Sequence, residues 1–254
     1  VFASDTYHLF AKYMRITWRM PMWTLFGLAQ PLIWLLIFSD LFSQMASLQG
    51  WPTTSYANFF LPGVMVMTVL FGSAWAGVSL LREINFGTVD KMMVTPIHRG
   101  AVLFSRVLHS AATVIIQCVV LLLVAFVMGL DLNANPGALA AGLVAVWTLG
   151  IGFAALSNGI AIVLRREEPL VIVGNFLTLP LMFFSSAMMP VKYMPEWIQW
   201  CAVVNPINYA VNAARTMLVG QADWAVFGQA FAVVLLFAVA AFVWANMTFM
   251  RSRA

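Results

Sequence analysis

Few residues in this sequence could do chemistry inside an apolar medium. Asp40 is the one acid within a long apolar run, and it sits near the end of that run. Arg106 and His109 fall in the first turns of another run, close enough to its end to snorkel to an interface. A carrier driven by protons or ions needs a titratable group at mid-depth, because the movement of charge there is part of its mechanism. The sequence offers none. It also lacks a G-x-x-x-x-G-K-[ST] phosphate loop, so ATP is not bound by that route. The absence of H-E-x-x-H and G-x-S-x-G motifs leaves an intramembrane protease without support. Cys118 lies deep in an apolar run and Cys201 in a connection, which argues against a disulfide between them. No metal-ligand spacing occurs. The chain therefore reads as a non-enzyme that binds no cofactor of its own.

The segment richest in chemical information is REINFGTVDKMMVTPIHRG, from Arg82 to Gly100. Gly87-Thr88 permits a turn, and Thr88 can cap a new helix. Val89, Met92 and Met93 recur at i, i+3 and i+4, with Asp90 and Lys91 off their stripe. Pro96 ends the helix. Such a stripe could dock into a groove on a partner, a use that suits flexible, polarizable Met. It could equally rest on lipid headgroups. Glu83 is a second candidate, able to pair with a base on a partner or with Arg82 or Arg99.

Two other groups stand out. Phe71 and Trp75 are i, i+4 neighbours that could line an apolar cavity, and the small residues between and after them let helices approach closely. Asn158, Asn175 and Phe176 could join them in a path. For each taken singly, ordinary interhelical packing is the plainer reading. Further on, Pro195 to Val204 reads as a short amphipathic helix with Pro195 at its first helical position and Trp197 on its apolar stripe. Asn205-Pro206 breaks it, and a second helix bearing Arg215 follows. Its tryptophans would also suit a hairpin lying at the membrane interface.

The elements that must carry these residues follow from composition. Of 254 residues, 63% are hydrophobic and 9% charged, against roughly 25% charged in soluble domains. A helix needs about 20 apolar residues to cross the hydrocarbon core. The expected fold is an all-α integral membrane protein of six spans, near residues 23–42, 59–81, 101–128, 138–164, 170–189 and 225–249. They form a single domain over residues 1–254. Before them, Leu9, Tyr13, Ile16 and Met20 recur at helical spacing among Lys12, Arg15 and Arg19, which predicts an amphipathic helix at the membrane surface in preference to a plain basic flank. No cleavable signal peptide is visible.

The net charge of +4 does not point to nucleic acid, because the basic residues lie between apolar runs. Lys12, Arg15, Arg19, Arg82, Lys91, Arg99, Arg106, Arg165, Arg166, Arg251 and Arg253 fall on one side of the membrane; Lys192 and Arg215 fall on the other. Eleven against two predicts that both termini are cytoplasmic; the expected location is the cell inner (plasma) membrane.

The order of these motifs resembles the ABC-2 type transporter permease family. REINFGTVDKMMVTPIHRG is similar to its cytoplasmic coupling region. MRITWRMPMWTLFGLAQPLIWLLIF resembles its amphipathic first helix and first span. SSAMMPVKYMPEWIQWCAVVNPINYAVNAARTMLVG resembles its loop after the fifth span, with Pro195, Trp197, Pro206, Tyr209 and Arg215. The likeness covers nearly the whole chain and looks nearest the daunorubicin-resistance branch. It implies a half-transporter. A second permease subunit, the same or homologous, pairs with this one. A separate ATP-binding cassette subunit holds ATP and Mg and is met by the segment from Glu83 to Pro96. The outer hairpin would dip into the outer leaflet and cap the path of an exported drug-like, lipid or glycan cargo. Two rivals remain open: a stand-alone secondary carrier, which needs the missing mid-depth group, and a non-transport membrane assembly factor, which needs no coupling segment.

Overall fold

The computed structural model describes residues 2–19, 21–94, 97–133 and 135–251. Within them every regular element is a helix, apart from an isolated bridge between Leu132 and Val219. Helix α1 (Phe2–Arg19) buries Thr6, Leu9 and Tyr13, which the 3.6-residue period places on one face. That face lies along α6 (Arg99–Val127). The Asp5 carboxylate accepts from the His98 backbone N–H at 3.1 Å, which ties the start of α1 to the start of α6.

Helix α2 (Pro21–Leu41) accommodates Pro31 without interruption. Next come α3 (Tyr56–Ala74), α4 (Ala76–Asn85) and α5 (Thr88–Met93). Residues 58–70 of α3 are all buried, so neighbours surround that helix on every side, as a uniformly apolar helix requires. Gly87 makes the turn into α5 at φ +64°, a value that strains any residue with a Cβ. Helix α7 (Pro136–Leu164) starts with the Asn135 side chain accepting from Gly137 N–H and Pro136 in the first turn. It is the hub of the bundle, touching α3, α4, α6, α8, α10 and α11. Helices α8 (Glu167–Phe183), α9 (Glu196–Val204), α10 (Pro206–Leu218) and α11 (Trp224–Arg251) complete the chain.

Among the described residues, Tyr56–Asn85, Gly100–Val127, Pro136–Leu164 and Trp224–Arg251 are long and apolar enough to cross a membrane, and Gly27–Leu41 is a shorter apolar helix. The expected span at 170–189 differs most from the structure. Its helix ends at Phe183 after 17 residues, about 26 Å at 1.5 Å per residue. Two residues end it. The Ser185 hydroxyl turns back to donate to the Met182 carbonyl at 2.6 Å, and Asn205 Nδ2 donates to the carbonyls of Leu181 and Phe184 at 2.5 and 2.9 Å. The terminal carbonyls are thus satisfied without further helix. Pro195 also differs from expectation, standing at the N-cap of α9 rather than inside it.

The span containing Phe71 and Trp75 is broken at Trp75, between α3 and α4. Helix α7 repairs the break. Ser157 Oγ accepts from Gly77 N–H at 3.0 Å and donates to the Ala74 carbonyl at 2.6 Å. The close approach depends on Gly77, where a Cβ would collide with the Ser157 backbone carbonyl. Ser157→Ala would strand one donor and one acceptor in the bundle, a loss of about 1–3 kcal/mol. Gly77→Val would force α4 away from α7 at a cost of similar order, about 1–3 kcal/mol. Unfolding of the purified protein in micelles measures both; an unchanged Ser157→Ala midpoint would remove the stitch from the account.

Candidate functional site

A cleft of about 760 Å³ opens between α1, α2, α3–α4 and α6. Phe71 and Trp75 line it, as their spacing suggests. Trp75 stands at the helix break and is 55% exposed on the cleft wall. Trp34 of α2 and Val64 and Met67 of α3 extend the apolar surface. Helix α6 contributes a different face. Arg106, Ser110, Thr113 and Gln117 all line the cleft, at spacings of 4, 3 and 4. That period puts a polar edge along one side of an apolar helix. The signal was present in the sequence but needs the whole helix laid out on its wheel. Gln30 of α2 and Thr68 of α3 add neutral polar groups. A Cβ at Gly27 would lie 2.9 Å from Gln117 Nε2, and one at Gly72 3.8 Å from Gln117 Oε1, so this amide bridges the gap between α2 and α3.

The end of the cleft nearest α1 holds its charges, and they are paired. Glu83 Oε2 lies 2.5 Å from Arg106 Nη2 and accepts from the Tyr13 hydroxyl at 3.1 Å. Arg106 Nη1 also donates to Ser79 Oγ at 3.1 Å, and its guanidinium stands 5.1 Å from the Tyr13 ring centroid. His109 Nε2 is 2.8 Å from Thr17 Oγ1. Arg106 therefore does not snorkel outward; it is 6% exposed. Helix α1 covers the start of α6 and displaces water there, so the countercharge comes from Glu83. Glu83 in turn meets Arg106 rather than Arg82, and the side chain of Arg99, the other candidate, lies outside the described residues. Arg82 pairs with Glu167 at 3.3 Å and links α4 to α8.

The α5 stripe faces differently from a free docking surface. Val89 is 1% exposed and packs with Leu9, Leu80, Val102 and Val107, and Met92 is half-buried against the same cluster. The side chain of Met93, like Pro96, lies outside the described residues. Among the described residues, the apolar groups that remain open around α5 are Phe86, 78% exposed, and Val94, 89% exposed. Phe86 and Gly87 form the turn before the helix, and Thr88 is the first helical residue rather than a cap outside it.

Asn158, Asn175 and Phe176 do not reach the cleft. Asn158 is buried in α7 and donates to the Ala154 carbonyl at 2.7 Å. Asn175 and Phe176 sit on an exposed face of α8, Phe176 being 79% exposed.

At the other end of the bundle, α9 presents Trp197 and Trp200 outward, and the Trp197 ring meets Phe184 edge-on. The Asn205 side chain caps α10 through Ile207 N–H, with Pro206 in its first turn. Tyr209 hydroxyl donates to the Val203 carbonyl at 2.8 Å. Arg215 turns into the bundle. It donates to the carbonyls of Phe59 and Ser186 at 3.2 and 2.7 Å and stacks 3.8 Å from the Phe59 ring centroid. Among the described residues, no group of three His, Cys, Asp or Glu side chains converges as a metal site.

The paired charges carry a pH signature. Burial pushes the Tyr13 phenol up to about 12, with the Arg106 charge opposing and the Glu83 carboxylate adding to the rise. The neutral phenol is thus favoured by the fold. That stability is complete below the ordinary tyrosine range near 10 and is lost as pH rises through about 12. Tyr13→Phe should flatten the fall in unfolding free energy between about pH 10 and 12, by up to about 3 kcal/mol. Parallel alkaline titrations of the two proteins measure this, and superimposable slopes would exclude a buried phenol.

The chain matches the ABC-2 type transporter family over residues 5–219. A transport permease of Cyanophora paradoxa is 30% identical over 207 residues, covering 81% of this chain and 71% of the relative. A daunorubicin resistance ABC transporter permease protein of Streptomyces coeruleorubidus is 24% identical over 194 residues, covering 76% and 68% respectively. A doxorubicin resistance ABC transporter permease protein of Mycobacterium tuberculosis is 25% identical over 207 residues, covering 80% and 73%. A match that begins in α1, runs through the whole cleft and ends just beyond α10 leaves a single assignment: the chain belongs to the ABC-2 type transporter family.

Proposed function

We propose that this chain is the membrane-spanning permease subunit of an ATP-driven exporter. The observation that carries the reading is the family match over residues 5–219 in a sequence with no phosphate loop of its own. Energy then comes from a separate ATP-binding subunit, which holds ATP and Mg, and a second permease subunit completes the path. In this reading α2, α3–α4, α6, α7, α8 and α11 are six spans. Both termini face the cytoplasm, as the eleven-to-two division of basic residues favours. The drug-resistance permeases among its relatives and the apolar lining of the cleft support an amphipathic drug-like, lipid or glycan cargo moved out across the cell inner (plasma) membrane.

The ATPase meets the turn and short helix from Glu83 to Pro96. Val89 and Met92 hold α5 against the bundle, and the contact is made by Phe86 and Val94, which are exposed on either side of it. An aromatic anchor that enters a desolvated pocket carries a large share of contact energy.

Phe86→Glu should therefore reduce co-purification of the ATPase by about tenfold or more, a loss of at least about 1.4 kcal/mol. Its thermal stability should stay near wild type, since the side chain is exposed. Val89→Glu should instead unfold the α5 corner. Lys91→Ala, on an exposed polar position, should change association little. Full association and transport by Phe86→Glu would displace the contact from this turn. In vesicles, the chain alone should neither hydrolyse ATP nor move cargo down a proton gradient. Gradient-driven movement by the chain alone would favour a secondary carrier.

A further inference from the structure

We propose that the cleft is a ligand site within one permease subunit, for an amphiphile with an uncharged or zwitterionic, hydrogen-bonding head and an aromatic or alkyl body. This deepens the exporter reading and rests on it for the ligand's route, not for its binding.

Size is the first argument. A volume of about 760 Å³ falls within the roughly 300–1,000 Å³ of ordinary small-molecule sites. The order of chemistry along the cleft is the second. Charged groups gather near α1, neutral polar groups run along α6, and Trp34, Phe71 and Trp75 supply an aromatic wall. An amphiphile laid along this gradient buries its body against the aromatic wall and keeps its head beside hydroxyl and amide groups.

Charge balance is the third argument, and it selects the head. Glu83 is neutralised by Arg106 at 2.5 Å, and Arg82 by Glu167 at 3.3 Å. A net-charged head entering the cleft would lose water without finding an opposite charge in excess, which is strongly unfavourable. A hydroxylated, amide or zwitterionic head exchanges its water for partners such as Ser110 and Thr113. Gly27 lets the Gln117 amide approach α2 closely, since a Cβ there would lie 2.9 Å from Gln117 Nε2, and this places a further neutral polar group on the cleft wall.

The test uses the permease assembled with its ATPase in phosphatidylglycerol vesicles, whose net-charged lipid head the site should reject. Three probes share a diazirine-bearing, clickable alkyl chain and differ only in carrying a glucosyl, phosphate or trimethylammonium head. Crosslinked residues are mapped by mass spectrometry. The glucosyl probe should concentrate on α2, α3–α4 and α6 residues of the cleft, with the two charged probes at least about tenfold weaker there. Ser110→Trp, which fills the cleft, and Trp75→Ala, which removes part of its wall, should each cut that labelling. Leu236→Ala, on an exposed face of α11, should leave it unchanged. Loss of cleft labelling when ATP turnover precedes irradiation would identify the ligand class as cargo, and labelling unchanged by prior turnover would identify a resident membrane lipid; both uphold the site. Labelling spread over all lipid-facing helices and indifferent to Ser110→Trp, or a preference for a charged head, would overturn it. Cleft labelling without ATP-dependent transport would leave the site standing and remove the exporter reading instead.

Discussion

A polypeptide in hydrocarbon has no water to satisfy its backbone, so every interruption of a helix must be repaired by a side chain from elsewhere. This protein interrupts two apolar helices and repairs both. Ser157 of α7 supplies one donor and one acceptor across the break at Trp75. Asn205 supplies two donors to the carbonyls at the end of α8. The first repair lets the chain expose Trp75 beside Phe71 and form the wall of the cleft. The second releases the turn in which the Ser186 carbonyl receives Arg215. The cleft and the outer helices therefore depend on polar groups in helices that otherwise read as packing material.

The same shortage of water governs two inward-turned guanidinium groups, Arg106 buried and Arg215 half-buried, which are treated in different ways. Arg106 has a carboxylate, Glu83, and a phenol that completes the carboxylate's coordination. Arg215 has backbone carbonyls, the Ser186 hydroxyl, the Asn212 amide oxygen and an aromatic face. A buried ion pair is weak evidence for stability, since desolvation offsets much of the attraction. Its clearer consequence is positional. Glu83, Arg106 and Tyr13 join α4, α6 and α1 at one point, directly beside the turn leading into α5.

The α5 segment shows what periodicity leaves open about an apolar face. Val89 and Met92 lie on one apolar face, as their spacing requires. Periodicity says that a face is apolar but not what covers it. Here the cover is the chain's own α1, α4 and α6, which leaves Phe86 and Val94 outside. Asn175 and Phe176 illustrate the converse. Their residue types suit a path, yet α8 turns them away from the cleft. The polar edge of α6 lay in the sequence throughout, at Arg106, Ser110, Thr113 and Gln117, but four polar residues among many apolar ones stand out only when the cleft gathers them.

Composition and periodicity alone determined the class of the protein. Long runs of apolar residues cannot be solvated, so the chain had to be helical and membrane-embedded, and the order of its motifs pointed to its family. The amphipathic α1, the turn at Gly87 and the long helices α6, α7 and α11 follow from local spacing, because backbone hydrogen bonding and capping are local interactions. Tertiary structure decided which polar groups meet. Whether Arg106 reaches water or Glu83, whether Ser157 is idle or holds a broken helix together, and whether Val89 docks on a partner or on its own bundle are questions of three-dimensional proximity. Their answers depend on residues up to 83 positions away along the chain, and no local pattern encodes a contact at that separation.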